Sequence, residues 1–183
     1  YNTGNGVLSL LAADIDGDGV VDIASANQGS NDVTIRWGGQ GVRLGASRSV
    51  ATGIEPWGMH AAEFNKDGYP DLIVNSYGSS TARLGFGQVG GGLNFGSVAP
   101  TSTITLGSRT FTPVTIDVNL DGTTDLVTNN TNGPSIRLGN GDGTFAAAAN
   151  VTTAQYSRSV VAGDLNGDHW PDLVLPISDG TIA

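Results

Sequence analysis

Short apolar runs alternate with polar, glycine-rich segments along the whole chain. The runs are 4–7 residues long, rich in Val, Ile, Leu and Thr, and bounded by Gly, Asn and Asp, which is typical of β-strands. They come in pairs. The first run of each pair covers residues 8–13, 57–62, 111–116 and 158–163. The second run covers residues 23–26, 72–74, 126–128 and 173–175. Because the second run is apolar at successive positions, it predicts a strand buried on both faces.

The two runs of each pair flank one acidic segment, which occurs four times. Its pattern is D-x-[DN]-x-D-G-x-x-D, and it occupies residues 14–22, 63–71, 117–125 and 164–172, with starts 49, 54 and 47 residues apart. A third run follows at residues 35–38, 82–85 and 136–139, where Arg precedes a large apolar residue and Gly. We expect Arg36, Arg83 and Arg137 to pair with acids or carbonyls of the adjacent repeat. The alternative is a ring of anion-binding arginines.

Four short strands in about 50 residues is the spacing of a β-propeller blade. We therefore predict an all-β fold, a β-propeller of four-stranded antiparallel blades with the acidic loops between the first and second strands. About 3.5 blades are present, with approximate bounds 1–53, 54–106, 107–154 and 155–183, the last incomplete. Propellers usually close with 4–8 blades. We favour completion by further blades of a longer chain or by another subunit, the alternative being an irregular four-bladed closure.

Charge and composition argue against several classes of partner and site. Of the 17 Asp and Glu residues, 13 lie in the four acidic segments, and the formal net charge is −9, so a nucleic-acid partner is not expected. The chain has no cysteine, which excludes a disulfide scaffold, a cysteine nucleophile and a thiolate metal site. No apolar run approaches the ~18 residues of a membrane span, so no membrane insertion is expected.

The acidic segments fit calcium, which takes 6–8 oxygen ligands from carboxylates and carbonyls. Side-chain oxygens stand at positions 1, 3, 5 and 9, position 7 can offer its backbone carbonyl, and Gly at position 6 sharpens the curl. An EF-hand needs an acid at position 12 and flanking helices, and neither is present. The remaining alternative is four polar turns without metal.

We expect up to four structural Ca²⁺ ions. Loops one and three match the pattern best, whereas Glu63 is one methylene longer than Asp and His169 replaces Gly, which strains or reshapes loop four. The candidate ligands are Asp14, Asp16, Asp18, Val20 and Asp22; Glu63, Asn65, Asp67, Tyr69 and Asp71; Asp117, Asn119, Asp121, Thr123 and Asp125; and Asp164, Asn166, Asp168, Trp170 and Asp172.

These loops, together with Leu-Gly-Asn-Gly-Asp-Gly-Thr-Phe at residues 138–145, resemble the FG-GAP or VCBS repeats of integrin-α-type β-propellers. The resemblance implies structural calcium and a secreted or cell-surface protein. Members of this family include integrin head domains, sugar-binding fungal lectins, adhesins and propellers attached to secreted polysaccharide enzymes. No ligand motif of the family is matched here.

We predict a recognition module, lectin-like or adhesive, with a glycan or an extracellular surface protein as partner. The candidate ligand residues are Trp57, His60, Tyr77 and Tyr156, although Trp57 could equally cap the core. The alternatives are a structural building block of an extracellular assembly or filament, or the non-catalytic propeller of a secreted polysaccharide-active enzyme. Catalysis by this chain is not expected, because no nucleophile motif occurs and most acids belong to the loops. Asn129 and Asn150 begin N-x-[ST] sequons and are possible N-glycosylation sites.

Overall fold

The computed structural model describes residues 2–39, 44–88, 93–94, 103–107, 109–131, 133–152 and 157–176. Its described part is all-β, which confirms the predicted fold class, and it forms successive antiparallel sheets. No helix of the described part is long and apolar enough to cross a membrane. Tyr156 lies outside the described residues.

The first sheet runs in the order β1-β2-β3-β4 and comprises Val7–Ala13, Asp22–Asn27, Asp32–Arg36 and Ser47–Ala51. The second has β5 Pro56–Ala62, β6 Asp71–Ser76 and β7 Thr81–Gly87, with β8 Leu93–Asn94 and β9 Thr103–Thr105 both paired to β7. The third comprises β10 Val114–Ile116, β11 Asp125–Asn130, β12 Gly133–Arg137 and β13 Ala149–Asn150. Two strands of the fourth are described, β14 Val161–Gly163 and β15 Asp172–Val174. The blade bounds inferred from the sequence stay a prediction.

The second strand of each complete sheet is its most buried strand. Every residue of β6 and β11 is buried, and only Ile23 of β2 is half-buried. This confirms the prediction made from the continuous apolar runs. The cause is stacking, because β6 and β11 each have a neighbouring sheet against both of their faces.

Among the residues that the structure describes, three hydrophobic cores lie between successive sheets. Ile15, Ala24 and Ile35 of the first sheet pack with Met59, Leu72 and Val74 of the second. Phe64, Ile73 and Leu84 of the second sheet pack with Leu126 of the third. Val127 of the third sheet packs with Val160 and Leu175 around the fourth. One face of each sheet therefore packs against the opposite face of the next, as in consecutive propeller blades.

The first strands of the third and fourth sheets start later than the sequence predicts. Strands β10 and β14 start at Val114 and Val161, three residues later than predicted. Before β10, Pro113 has no backbone N–H to donate to a ladder, and Thr110 forms an isolated bridge with Asn130 instead. The first strands of the third and fourth sheets are consequently short.

Candidate functional site

The four acidic loops share one hydrogen-bonding scheme. The carboxylate at position 1 accepts the N–H of position 6 in every loop: Gly19 to Asp14 at 2.8 Å, Gly68 to Glu63 at 2.6 Å, Gly122 to Asp117 at 2.7 Å and His169 to Asp164 at 2.8 Å. The carboxylate at position 5 accepts the N–H of position 7, with Val20, Tyr69, Thr123 and Trp170 as the donors. The side chains at positions 1 and 5 are therefore held inside the curl of each loop.

Loop four keeps this shape although His169 replaces glycine. The φ angle at position 6 is 85° at Gly19, 86° at Gly68 and 80° at Gly122, and it is 72° at His169. The sequence predicted that His169 strains or reshapes loop four. The loop keeps its shape and is strained, because a residue with a side chain is disfavoured in the left-handed region.

Position 9 does more than offer a ligand oxygen. In loop three, Asp125 is fully buried and accepts the N–H of Val118 at 2.8 Å and that of Gly139 at 2.7 Å. Asp22 and Asp71 make the same pair of contacts, with Gly38 and Gly87 as the third-strand donors. This carboxylate therefore ties its loop to the third strand, a role that the sequence pattern did not reveal.

The third-strand glycine is required because a backbone carbonyl lies against it. A Cβ on Gly139 would lie 2.3 Å from the carbonyl oxygen of Thr124, and one on Gly87 would lie 2.4 Å from that of Pro70. The sequence pattern aligned Gly85 with Gly38 and Gly139, but Gly85 lies opposite Leu72 in the ladder. The structural counterpart is Gly87, two residues further along β7.

The donor set fits a hard divalent cation. In the described part of the chain, loops one and two each bring three carboxylate oxygens within 4.8 Å of one another, from Asp14, Asp16 and Asp18 and from Glu63, Asp67 and Asp71. Burial raises the pKa of Asp71 to about 6, and the charges of Glu63 and Asp67 add to this effect. The hydrogen bonds that Asp71 accepts oppose it. Burial and the charge of Asp22 likewise raise the pKa of Asp16. Such a cluster favours a bound cation over mutual repulsion of its carboxylates.

The loops are therefore ranked differently by geometry and by sequence. The pattern ranked loops one and three first, whereas the gathered carboxylates are those of loops one and two. In loop three, Asp121 accepts hydrogen bonds from Thr123 and Asn119, which lower its pKa. Which loops hold calcium stays a prediction.

An aromatic cluster lies at the opposite edge of the sheets, where second strands end. Trp57 is the extra residue of a bulge in β5, and its ring lies 5.3 Å from that of Tyr77 and 5.6 Å from that of Phe111. The Arg109 guanidinium lies 5.1 Å from the centre of the Tyr77 ring and donates to its hydroxyl at 3.3 Å. Phe111 is buried, Trp57 and Tyr77 are half-buried, and Arg109 is exposed. We call Trp57, Tyr77, Phe111 and Arg109 the aromatic site.

Two of the four candidate ligand residues thus meet. His60 lies further along β5, half-buried, with Nδ1 2.7 Å from Thr115 Oγ1, and burial lowers its pKa. Glu55, directly before β5, accepts the Tyr77 N–H through its carbonyl at 2.9 Å. The sequence did not single out Phe111 or Arg109 as ligand residues, because their approach to Trp57 depends on the packing of two successive sheets.

The two sequons differ in exposure. Asn129 is fully buried and its amide donates to the Ser157 carbonyl at 2.7 Å, which corrects its prediction as a glycosylation site, whereas Asn150 is exposed.

The recurring arginines of the third strands pair with backbone carbonyls. Arg83 donates to the carbonyl of Ala51 and Arg137 to that of Thr105, each at 2.8 Å. These are carbonyls of the preceding sheet, as expected for pairing with the adjacent repeat, whereas Arg36 donates to the carbonyl of Asn2 within its own repeat at 3.0 Å.

Solved structures with a similar backbone are propeller-like. A lectin of Agrocybe aegerita that recognises non-reducing terminal N-acetylglucosamine matches with a TM-score of 0.63 and 21% identity, over 90% of this chain and 45% of the lectin chain. BBS1N, in complex with ARL6DN, matches with a TM-score of 0.60 and 14% identity, over 100% of this chain and 56% of that chain. The chain thus spans about half the length of these proteins, and at this identity the likeness shows the fold alone.

Comparison at the level of sequence gives two further results. No curated protein matches the chain. The FG-GAP-like repeat family matches residues 14–74 and 117–175, which include all four acidic loops. This chain belongs to the FG-GAP-like repeat family.

Proposed function

We propose that this β-propeller segment is an extracellular recognition module that binds glycans at the aromatic site. The observation that carries the proposal is the group of Trp57 and Tyr77, half-buried on a base of Phe111 and flanked by the exposed Arg109. A strand bulge directs Trp57 there, and bulges are frequent beside functional sites.

The chemistry of the site suits a sugar. Aromatic rings provide large apolar faces at low entropic cost, and a few polar groups fix the orientation of a ligand. Here Arg109 supplies donors, and the carboxylate of Glu55, which lies beside Gly78 at the same edge, offers an acceptor. The structural neighbour from Agrocybe aegerita recognises terminal N-acetylglucosamine, which supports a glycan as the first ligand class to test.

A glycan array followed by calorimetric titration of the hits tests this proposal. We expect Trp57→Ala and Tyr77→Ala each to weaken binding at least about tenfold, the usual effect of removing a central aromatic contact. Trp170→Ala is the matched control, because Trp170 is an exposed tryptophan outside the aromatic site. Absence of any glycan hit, or equal losses in all three variants, would contradict the proposal.

We further propose that the loops bind calcium as a structural ion. The residues that would hold it are the carboxylates and amides at positions 1, 3, 5 and 9 together with the carbonyl at position 7. Calorimetric titration of the metal-free protein should show calcium binding that raises the thermal midpoint, and chelator should lower it again. No heat of binding together with an unchanged midpoint would contradict this.

The proposal assigns no catalytic role to the chain. A non-catalytic propeller within a larger polysaccharide-active enzyme is an alternative compatible with glycan binding. Incubation of the chain with common polysaccharides checks the assignment, and release of reducing ends that Trp57→Ala abolishes would overturn it. A protein ligand at the aromatic site would appear as binding to a surface glycoprotein that persists after deglycosylation.

A further inference from the structure

A pocket of about 430 Å³ lies between the second and third sheets, beside the end of β9 and the outer strands β12 and β13. Pockets of this size hold small ligands. Its described lining includes no residue of the aromatic site or of the acidic loops. The polar side chains among the described lining residues are those of Asn130, Ser135, Arg137, Asn150 and Thr152. None of them is acidic, although the chain has a formal net charge of −9.

Strand pairing brings these polar side chains to one face of the third sheet. Ser135 and Arg137 are two residues apart on β12 and therefore point to the same side. Asn150 of β13 lies opposite Ser135 in the ladder, and Asn130 of β11 lies opposite Gly133. Residues opposite each other on neighbouring strands share a face. Three strands thus place amide, hydroxyl and guanidinium donors around a glycine, which has no side chain.

The first sheet has the same arrangement, but with a carboxylate at the glycine position. In its ladders, Asn27, Asp32, Thr34 and Ser49 hold the positions of Asn130, Gly133, Ser135 and Asn150. The Asp32 carboxylate accepts hydrogen bonds from the Asn27 amide at 2.9 Å, from the Ser49 hydroxyl at 2.8 Å and from the Ser30 hydroxyl at 2.6 Å. Although burial opposes them, these hydrogen bonds hold the pKa of Asp32 below its usual range. Donors at these positions therefore stabilise a carboxylate.

Arg137 adds a positive charge that no described carboxylate neutralises. Its guanidinium donates to the carbonyls of Thr105 and Ala146, at 2.8 Å and 3.5 Å. Its Nε is buried without a hydrogen-bond partner, and it makes no ion pair with a described residue. Burial lowers the pKa of this guanidinium. Because a charge removed from water is costly unless an opposite charge accompanies it, an anion in the pocket would stabilise Arg137.

The chain segments that build the pocket are locally positive. Residues 72–116 and 126–163 supply all of its described lining residues. These two segments contain four arginines and a single acidic residue, Asp142. The local electrostatic field therefore favours an anionic ligand over a cationic one.

We propose that this pocket binds a carboxylate-bearing small ligand, whose carboxylate takes the position among Asn130 and Asn150 that the Asp32 side chain has in the first sheet. The planar guanidinium of Arg137 donates to the same carboxylate, a pairing that its geometry suits. The volume of the pocket leaves room for the rest of a ligand such as a sugar acid. This site is independent of glycan binding at the aromatic site.

Calorimetric titration with sodium glucuronate, sodium acetate and glucose at low ionic strength tests the proposal on the chain produced without N-glycans, since Asn150 begins a sequon. We expect one glucuronate per chain and no binding of glucose, which lacks the charge. Asn150→Asp places a like charge opposite Ser135 and should weaken glucuronate binding at least about tenfold. The matched control is Asn140→Asp, which adds the same charge at an exposed turn of the same sheet and should change the affinity less than about twofold.

Two further variants locate the binding. Arg137→Gln should abolish it, and because this variant also loses the contact with Thr105, Asn150→Asp decides the matter if Arg137→Gln does not fold. Trp57→Ala should bind glucuronate as tightly as the unaltered chain, which separates this pocket from the aromatic site. Acetate binding as tight as that of glucuronate would show that the carboxylate alone is recognised, and weaker acetate binding would show that the sugar ring also contributes. No saturable glucuronate binding, equal affinity for glucose, equal losses in the two aspartate variants, or loss in Trp57→Ala would overturn the proposal.

Discussion

The acidic loops hold side chains in backbone conformations that normally favour glycine. Lys66, Leu120 and His169 all have positive φ, at 58°, 59° and 72°. Each such residue costs about 1–2 kcal/mol, so the loops keep their curl against local strain. The hydrogen bonds to the first carboxylate compensate this strain, which explains why the motif tolerates departures from its pattern.

Replacing His169 with glycine should relieve that strain. We expect His169→Gly to raise the free energy of unfolding by about 0.5–1 kcal/mol, because the left-handed penalty exceeds the entropic cost of a glycine. Chemical denaturation of the metal-free protein measures the change. Gly122→His in loop three is the reciprocal control and should destabilise, so a loss of stability in both variants would contradict this account.

His60 should make the fold sensitive to mild acid. Burial holds its pKa below 6.5, so the unfolded chain binds a proton more readily than the folded one, and stability falls as the pH drops below about 6.5. His60→Gln should flatten the dependence of the thermal midpoint on pH between about 7.5 and 5.5, measured with chelator present. His169→Gln makes the same substitution at an exposed ring and is the control. Equal slopes in both variants would contradict the assignment.

At the scale of strands, the position-9 aspartates of the first three acidic loops, Asp22, Asp71 and Asp125, each join their loop to a third strand. Asp125→Ala leaves the N–H groups of Val118 and Gly139 without their acceptor, and we expect a loss of about 2–5 kcal/mol. Denaturation in chelator isolates this effect from calcium binding. Asp121→Ala, at an exposed position of the same loop, should cost less than about 1 kcal/mol. Comparable losses in the two variants would show that the buried contacts are not responsible.

Local patterns predicted the strands and loops because hydrophobic runs and turn residues act over a few positions. The second strands and their burial followed from runs such as residues 72–74. The equivalence of Gly87 to Gly139 did not, because β7 is offset by two residues and only pairing with β6 reveals the offset. The aromatic site depends on residues more than 50 positions apart, which no local signal connects.

At the scale of the molecule, the part of the chain that the structure describes is a stack in which each sheet packs against the next. In such arrays stability is a sum of unit terms and interface terms. The acidic loops occupy one edge of the stack and the aromatic site the other, where second strands end. Calcium at one edge would therefore stiffen the sheets that position the ligand residues at the opposite edge, without contacting the ligand.

The interface between the second and third sheets should control how cooperatively the stack unfolds. Asn75 is fully buried, and its amide donates across this interface to the Phe111 carbonyl at 2.8 Å. Asn75→Ala removes that donor and leaves a buried carbonyl without it, at a cost of about 1–3 kcal/mol. The substitution weakens the interface between the second and third sheets without changing either sheet. We therefore expect the first two sheets and the last two to exchange their amide hydrogens at separate denaturant midpoints.

Hydrogen exchange with mass spectrometry resolves β2 and β6 from β11 and is the measurement of choice. Asn140→Ala is the matched control, since the Asn140 amide bonds only Thr144 within its own exposed turn, and it should leave one common midpoint. If Asn75→Ala lowers the denaturant midpoints of all strands by the same amount, the stack behaves as one cooperative unit and the nearest-neighbour description is wrong. If the midpoints separate, Phe111 of the aromatic site lies at the least stable interface, the one between the second and third sheets. Ligand binding at the aromatic site should then bring the midpoints together again.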